Sequence, residues 1–188
     1  MPILKGDIFI DRRPISDFLL NDLAKKIAIV LTEKIGGFNL TAYDVVAAGQ
    51  MPYTNAFNRF EKENLSIIES AINTCGITAH QHKLLNELSD GLFQKTIIAK
   101  ALAQQTPIML LDEPSAFLDY ASKHELFLLL KKLSSEENKC ILVSSHDLDL
   151  VLKYCTRILV VAGTRATLLN LSEAKNNEEF KKITGGFI

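Results

Sequence analysis

The stretch "IMLLDEPSAFLD", residues 108–119, runs four apolar residues into two adjacent carboxylates, Asp112 and Glu113. It continues through a proline and a short turn to Asp119. A continuous apolar run of this kind is a buried strand, and open α/β sheets bind ligands outside the carboxyl ends of their strands. Asp112 is therefore placed to hold Mg²⁺ through water, and Glu113 to act as general base on an attacking water. Alone the pair does not decide the matter, because acid–acid–proline also occurs in plain turns. "SSHD", residues 144–147, sets His146 at the end of another apolar run, where it could face the same phosphate. A lone histidine after a strand is more often structural. "LSDGLFQK", residues 88–95, opens a helix with Ser89, Asp90 and Gly91. Backbone N–H groups at a helix start bind phosphate, although read alone these residues are an N-cap.

Such residues need a sheet to carry them. Residues 27–31, "IAIVL", and the runs "IMLL" and "CILV" are continuously apolar, as strands buried on both faces should be. "GDIFIDRRPI" alternates, with Ile8 and Ile10 on one face, which predicts a half-buried antiparallel strand. A short helix is expected around residues 16–25. From residue 41 to 105 the period becomes helical. Thr41 can cap a helix carrying Val45 and Val46. Leu65, Ile68, Ile72 and Cys75 fall at helical spacing. Residues 86–91 break the pattern, and Ile97, Ile98, Ala101 and Leu102 restore it. After Pro107 strands and helices alternate. Asp119 can cap a helix with Leu126, Leu129, Leu130 and Leu133 on one stripe, and a further helix carries Leu148, Val151, Leu152 and Cys155. "RILVVAG" is another strand, and "SEAKNNEEFKKIT" a polar, peripheral helix. The expected fold is α/β: one domain built on a mostly parallel sheet (residues 1–40 and 106–188) with an embedded helical subdomain (residues 41–105).

Composition narrows the function. The chain has 188 residues, 47% of them hydrophobic, with a formal net charge of −1, so no global electrostatic argument favours nucleic acid as a partner. Cys75, Cys140 and Cys155 sit at apolar positions and read as small buried hydrophobes in a reducing compartment. His80 and His82 read as part of a solvated loop. The first residues carry no signal-peptide pattern, and no apolar run approaches the ~18 residues of a membrane span. The chain is expected in the cytoplasm, touching a membrane only through a partner.

Order and spacing carry more than any motif alone. Over residues 6–163 the sequence resembles the ATP-binding subunits of ABC transporters. "LSDGLFQKTIIAKALAQQTPIMLLDEP" is similar to the family signature running into Walker B, "SAFLD" to the D-loop and "SSHD" to the H-loop. "NLTAYDVVAAGQMPYTNAFNRF" resembles importers of iron–siderophore, haem or cobalamin complexes. The resemblance implies ATP and Mg²⁺ as ligands and a P-loop-type ABC ATPase core. It implies Asp112 at the metal, Glu113 as base and His146 on the γ-phosphate. Ser89 and Gly91 would contact ATP held by a second ATP-binding subunit in a head-to-tail dimer, and Asp119 would couple the two sites. It further implies membrane permease subunits as partners, with this chain peripheral on the cytoplasmic face of the plasma (inner) membrane. Residues 41–60, with exposed-looking Tyr43, Tyr53 and Phe57, are expected either to face the permease or to form subdomain core. Two other readings are a non-catalytic half that supplies its signature loop to an intact partner, and a soluble ABC ATPase outside transport.

Three departures stand out. Asp90 and Leu92 replace the usual glycine and glutamine of the signature. Thr32 and Glu33 stand where a glutamine is expected after the "IAIVL" strand. None of the nine glycines is followed by lysine, so the 188 residues hold no G-x-x-x-x-G-K-[ST] phosphate loop. In the family that loop lies upstream of the strand resembling residues 6–11. The chain is therefore expected to be truncated at its N-terminus, lacking the first strand and the P-loop, and inactive alone.

Overall fold

Three short strands position the acidic residues. In the computed structural model, which describes residues 6–32, 39–54, 59–162, 165–174 and 176–183, β3 (Ile27–Val30), β4 (Ile108–Leu111) and β5 (Cys140–Val143) form a parallel sheet in that order. Ile27 lies opposite Ile108, and Ile108 opposite Cys140. Before them come a hairpin of β1 (Phe9–Ile10) with β2 (Arg13–Pro14) and a short helix α1 (Leu20–Ala24). The helical subdomain consists of α2 (Ala42–Ala47), α3 (Lys62–Thr74) and α4 (Asp90–Ala103). After β4 follow α5 (Tyr120–Glu136), then β5, α6 (Leu148–Tyr154), an antiparallel pair β6 (Arg157–Ala162) and β7 (Arg165–Asn170), and two short helices, α7 (Leu171–Ala174) and α8 (Glu178–Ile183).

One core joins sheet and subdomain. Ala28, Val30, Met109 and Leu111 point to one face of the sheet and are buried together with Val46, Ile68, Ile72 and Ile98 of the subdomain and Leu126, Leu130 and Leu133 of α5. Helix α2 starts where expected: Thr41 Oγ1 accepts from Asp44 N at 3.2 Å, and Thr41 N donates to Asp44 Oδ2 at 2.9 Å, a reciprocal capping box. The turn after α2 packs so closely on α4 that a Cβ on Gly49 would collide with the carbonyl oxygen of Lys100. Beside it the buried Gln50 side chain donates to Ala103 O and accepts from Asn64 Nδ2 at 2.8 Å. This satisfies a polar pair that would otherwise cost ~1–3 kcal/mol to bury.

The structure corrects several expectations. The three central strands are not buried on both faces. Ile29 and Leu142 flank Leu110 in register on the second face and are 60% and 50% exposed, because the described residues leave this face partly uncovered. The first strand is a tight hairpin, turning through Asp11 (φ 50°) and Arg12 (φ 66°), with Ile10 buried and Ile8 half exposed. The short helix expected around residues 16–25 is α1, preceded by a 3₁₀ turn, Ile15–Asp17. The polar tail is two helices preceded by a strand that was not foreseen. It is not peripheral, since Phe180 and Ala174 pack with Ile158 and Val160 in a second small core. Of the cysteines only Cys75 is fully buried, which pushes its thiol up to about 12, while Cys140 is exposed and Cys155 half-buried. His80 is half-buried in a 3₁₀ turn, with Nδ1 enclosed and unpartnered among the described residues, so it does not lie in a solvated loop.

Candidate functional site

Asp112 is fixed from three sides. Its N–H donates to Val30 O at 2.9 Å, carrying the β3–β4 ladder one residue past the strand. Ser144, just beyond β5, donates from Oγ to Asp112 Oδ1 at 2.7 Å. Thr32, just beyond β3, donates from Oγ1 to the Asp112 carbonyl at 2.9 Å and lies 3.4 Å from Oδ2. The carboxylate thus stands between two hydroxyls at the carboxyl end of the sheet, exposed to solvent.

Glu113 is held differently. Its backbone is left-handed, φ 44°, a conformation that costs a non-glycine residue on the order of 1–3 kcal/mol and persists only where surroundings enforce it. The enforcing contact is Ser144, whose Oγ accepts from Glu113 N at 2.8 Å while donating to Asp112. One hydroxyl therefore aligns both acids, with its donor and an acceptor site in use. The twist turns the Glu113 side chain toward the β5 loop, where Oε1 meets His146 Nε2 at 2.9 Å. The His146 side chain is 94% exposed.

From Glu113 two hydrogen-bonded turns, Ala116 N to Glu113 O and Leu118 N to Ser115 O, both 3.1 Å, lead to Asp119. Asp119 caps α5, accepting from Ser122 N at 2.8 Å, and the hydrogen bonds from Ser122 hold its carboxyl below the usual range. Ser89 caps α4 with a longer bond, 3.4 Å from Leu92 N. Gly91 faces the first turn of α5, where a Cβ would lie 3.2 Å from Ser122 Oγ. Ser89, Gly91, Lys95, Leu118 and Ser122 line a cleft of about 190 Å³, within which Lys95 pairs with Glu125 at 2.7 Å. That is smaller than the ~300–1,000 Å³ of a typical small-molecule site. A second cleft is lined by Thr32, Asp90, Gln94 and Glu113.

The structure therefore brings Asp112, Glu113 and His146 to one point. Ser89 and Gly91 form a second cluster against the start of the helix that Asp119 caps. Asp90, unexpectedly, lines a cleft with Glu113. Leu92, where the family pattern has glutamine, is half-buried against the main core. Glu33 and Phe57 lie outside the described residues. Tyr43 and Tyr53 are half-buried, and Tyr53 donates to Gln104 O at 3.0 Å, with desolvation pushing its hydroxyl up. The sequence reading missed Ser144, Thr32 as a partner of Asp112, and a tie between Ser115, Lys123 and Asp147. The available signal was the run of hydroxyls and an acid directly after an apolar strand.

The donor set fits Mg²⁺. Asp112 supplies one hard carboxylate whose neighbours are hydroxyls. Among the described residues no three His, Cys, Asp or Glu side chains converge on a metal position. Mg²⁺ typically takes one or two carboxylates and completes its shell with water and substrate phosphate, so a single carboxylate suffices.

A family profile described as "ABC transporter" matches residues 2–116, a span that includes Ser89, Gly91, Asp112 and Glu113. The chain belongs to the ABC transporter family. It is 40% identical over 157 residues to an uncharacterised ABC transporter ATP-binding protein of Methanocaldococcus jannaschii, covering 84% of this chain and 54% of that protein. It is 32% identical over 157 residues to the petrobactin import ATP-binding protein FpuC of Bacillus anthracis, covering 84% and 58%. The chain thus spans about half the length of the curated relatives it matches. A bacterial ABC transporter cassette solved as a dimer superposes with a TM-score of 0.73 at 26% identity, covering 89% of this chain and 74% of that one. The parallel sheet with its attached helices is that of an ABC ATPase cassette. No helix among the described residues is long and apolar enough to cross a membrane.

Proposed function

We propose that the chain is the ATP-binding part of an importer for an iron chelate, such as a siderophore or haem, or for cobalamin, and that its two clusters act on ATP. The observation that carries this reading is the Ser144 hydroxyl bridging Asp112 and Glu113, which sets His146 against Glu113. Asp112 holds Mg²⁺ through water; when bound, that ion neutralises charge on the phosphates. The Glu113 side chain, three-quarters buried with Oε1 2.9 Å from His146 Nε2, takes the proton of the attacking water as general base. His146, its ring in solvent apart from the contact with Glu113, is placed to meet the γ-phosphate.

The signature cleft would receive a terminal phosphate held by another subunit. The dimeric cassette that this fold resembles supports a head-to-tail pair in which Ser89 and Gly91 meet the partner's ATP. Asp119, at the start of α5 beside that cleft, would couple the two sites. Membrane permease subunits would complete the assembly, with this chain docked on their cytoplasmic face.

Phosphoryl transfer relies on positioning and charge neutralisation. The 188 residues supply the metal and base carboxylates without a glycine-rich nest or its lysine. Calorimetric titration of Mg-ATP into this chain alone should therefore give a dissociation constant weaker than micromolar, with no measurable turnover. Addition of a P-loop-bearing ABC cassette should produce hydrolysis. A micromolar or tighter constant for the chain alone would contradict the reading.

A further inference from the structure

Asp147 sits at the N-terminus of α6, where an aspartate ordinarily turns its carboxylate onto the first helical N–H groups. Here it makes no such cap bond, forgoing a contact worth ~1 kcal/mol. Its oxygens are instead divided between two other elements. Oδ1 accepts from Lys123 Nζ of α5 at 2.9 Å, and Oδ2 accepts from Ser115 Oγ at 3.0 Å. Ser115 is only 1% exposed and lies two residues after Glu113. On the other side of His146, Ser144 is fixed to Asp112 and to Glu113. The histidine ring itself, 94% exposed, has little packing to hold it. Its position against Glu113 is set by the backbone between two anchored residues, 144 and 147.

We propose that Asp147, gripped by Lys123 and Ser115, is a positioning residue that fixes His146 against Glu113 and makes movement of the residues 115–119 turn move the histidine. This rests on the roles given to Glu113 and His146 above. The latch is charge-assisted and half-buried, so it resists screening better than a surface pair. Burial works against the ionised Asp147, but the bonds from Lys123 and Ser115 outweigh it and hold the carboxyl below its usual range.

The test is ¹³C relaxation of the histidine rings in the 188-residue chain, which needs no hydrolysis. In Lys123→Met and in Asp147→Asn the His146 ring should gain fast motion, with relaxation changed by about twofold or more, while His80 in the helical subdomain keeps its values. Lys123→Arg should restore the wild-type behaviour of His146, and Ser115→Ala should give a partial effect. His146 relaxation unchanged in both Lys123→Met and Asp147→Asn would overturn the proposal. So would a change shared equally by His80, since that would mean general loosening rather than positioning. The catalytic roles are tested separately by turnover of Glu113→Gln. A result against the latch there leaves them standing, and a result against them leaves the ring measurement interpretable.

Discussion

The carboxyl end of the sheet and the signature turn are built on opposite plans. At the sheet end, Asp112, Glu113 and His146 are bound to one another and to Thr32 and Ser144 by contacts of 2.7–2.9 Å that all come from within this chain. At the signature turn, Ser89 makes one cap bond at 3.4 Å, and Gly91 lies close to the first turn of α5, where a Cβ would come within 3.2 Å of Ser122 Oγ. The first region is preorganised by its own strands. The second presents a cleft lined by Ser89, Gly91, Lys95 and Ser122. This difference matches the proposed division of labour, in which one region works on the ATP of its own site and the other on a partner's.

The comparison is broken most severely at Asp112. In the chain extended to carry its own P-loop, Asp112→Ala should cut turnover by about a thousandfold, because it removes the carboxylate proposed to hold the metal, worth several kcal/mol. Steady-state kinetics check this, and a loss below tenfold would remove Asp112 from the metal site. The next effect contrasts two serines. Ser144→Ala removes two hydrogen bonds at once, one to the Asp112 carboxylate and one from the strained Glu113 N–H, and at ~0.5–1.5 kcal/mol each should destabilise the chain by ~1–3 kcal/mol. Ser89→Ala loses only a long cap bond and should cost ~0.5–1 kcal/mol. Urea unfolding of the two variants gives the ratio; equal losses would erase the distinction between the regions.

A smaller effect is read from acid. The folded-state carboxyls of Asp147 and Asp119 both lie below their usual range, Asp147 because the bonds from Lys123 and Ser115 outweigh burial, Asp119 because of bonds from Ser122. Each depressed carboxyl contributes stability that is fully present above its unfolded value and is lost as pH falls through its folded one. The urea midpoint should therefore drop on acidification below about pH 4, the ordinary carboxylate value, and drop less in Asp147→Asn. The smallest effect is expected at Gly91. A Cβ there meets chiefly the Ser122 hydroxyl, which can rotate away, so Gly91→Ala should leave the melting temperature nearly unchanged while lowering the partner-dependent turnover.

Much of this arrangement is legible in the sequence because it is local. An apolar strand ending in two acids, Asp119 as a cap with leucines on one stripe, and Thr41 with Asp44 at a helix start are all determined within a few residues. Less legible are features that depend on distant elements. Runs such as "IAIVL" read as buried on both faces, yet Ile29 is exposed, because apolar composition reports a demand for cover and not whether these residues supply it. Phe180 reads as part of a polar tail because its core partners, Ile158 and Val160, lie about twenty residues earlier in β6. The part played by Ser144 depends on parallel pairing of β4 with β5, which brings it beside Asp112 across more than thirty residues of chain. The positive φ of Glu113 has no sequence signal at all.

The central claim is that Glu113 is the base of an ATP-hydrolysing site, and the most direct measurement is a paired one on Glu113→Gln. The substitution keeps size and hydrogen bonding and removes the basic carboxylate. In the chain extended to carry its own P-loop, Mg-ATP affinity measured by calorimetry should stay within about threefold of wild type, while single-turnover hydrolysis should fall by ~10²–10⁴-fold. Hydrolysis at the wild-type rate with ATP bound would contradict the account.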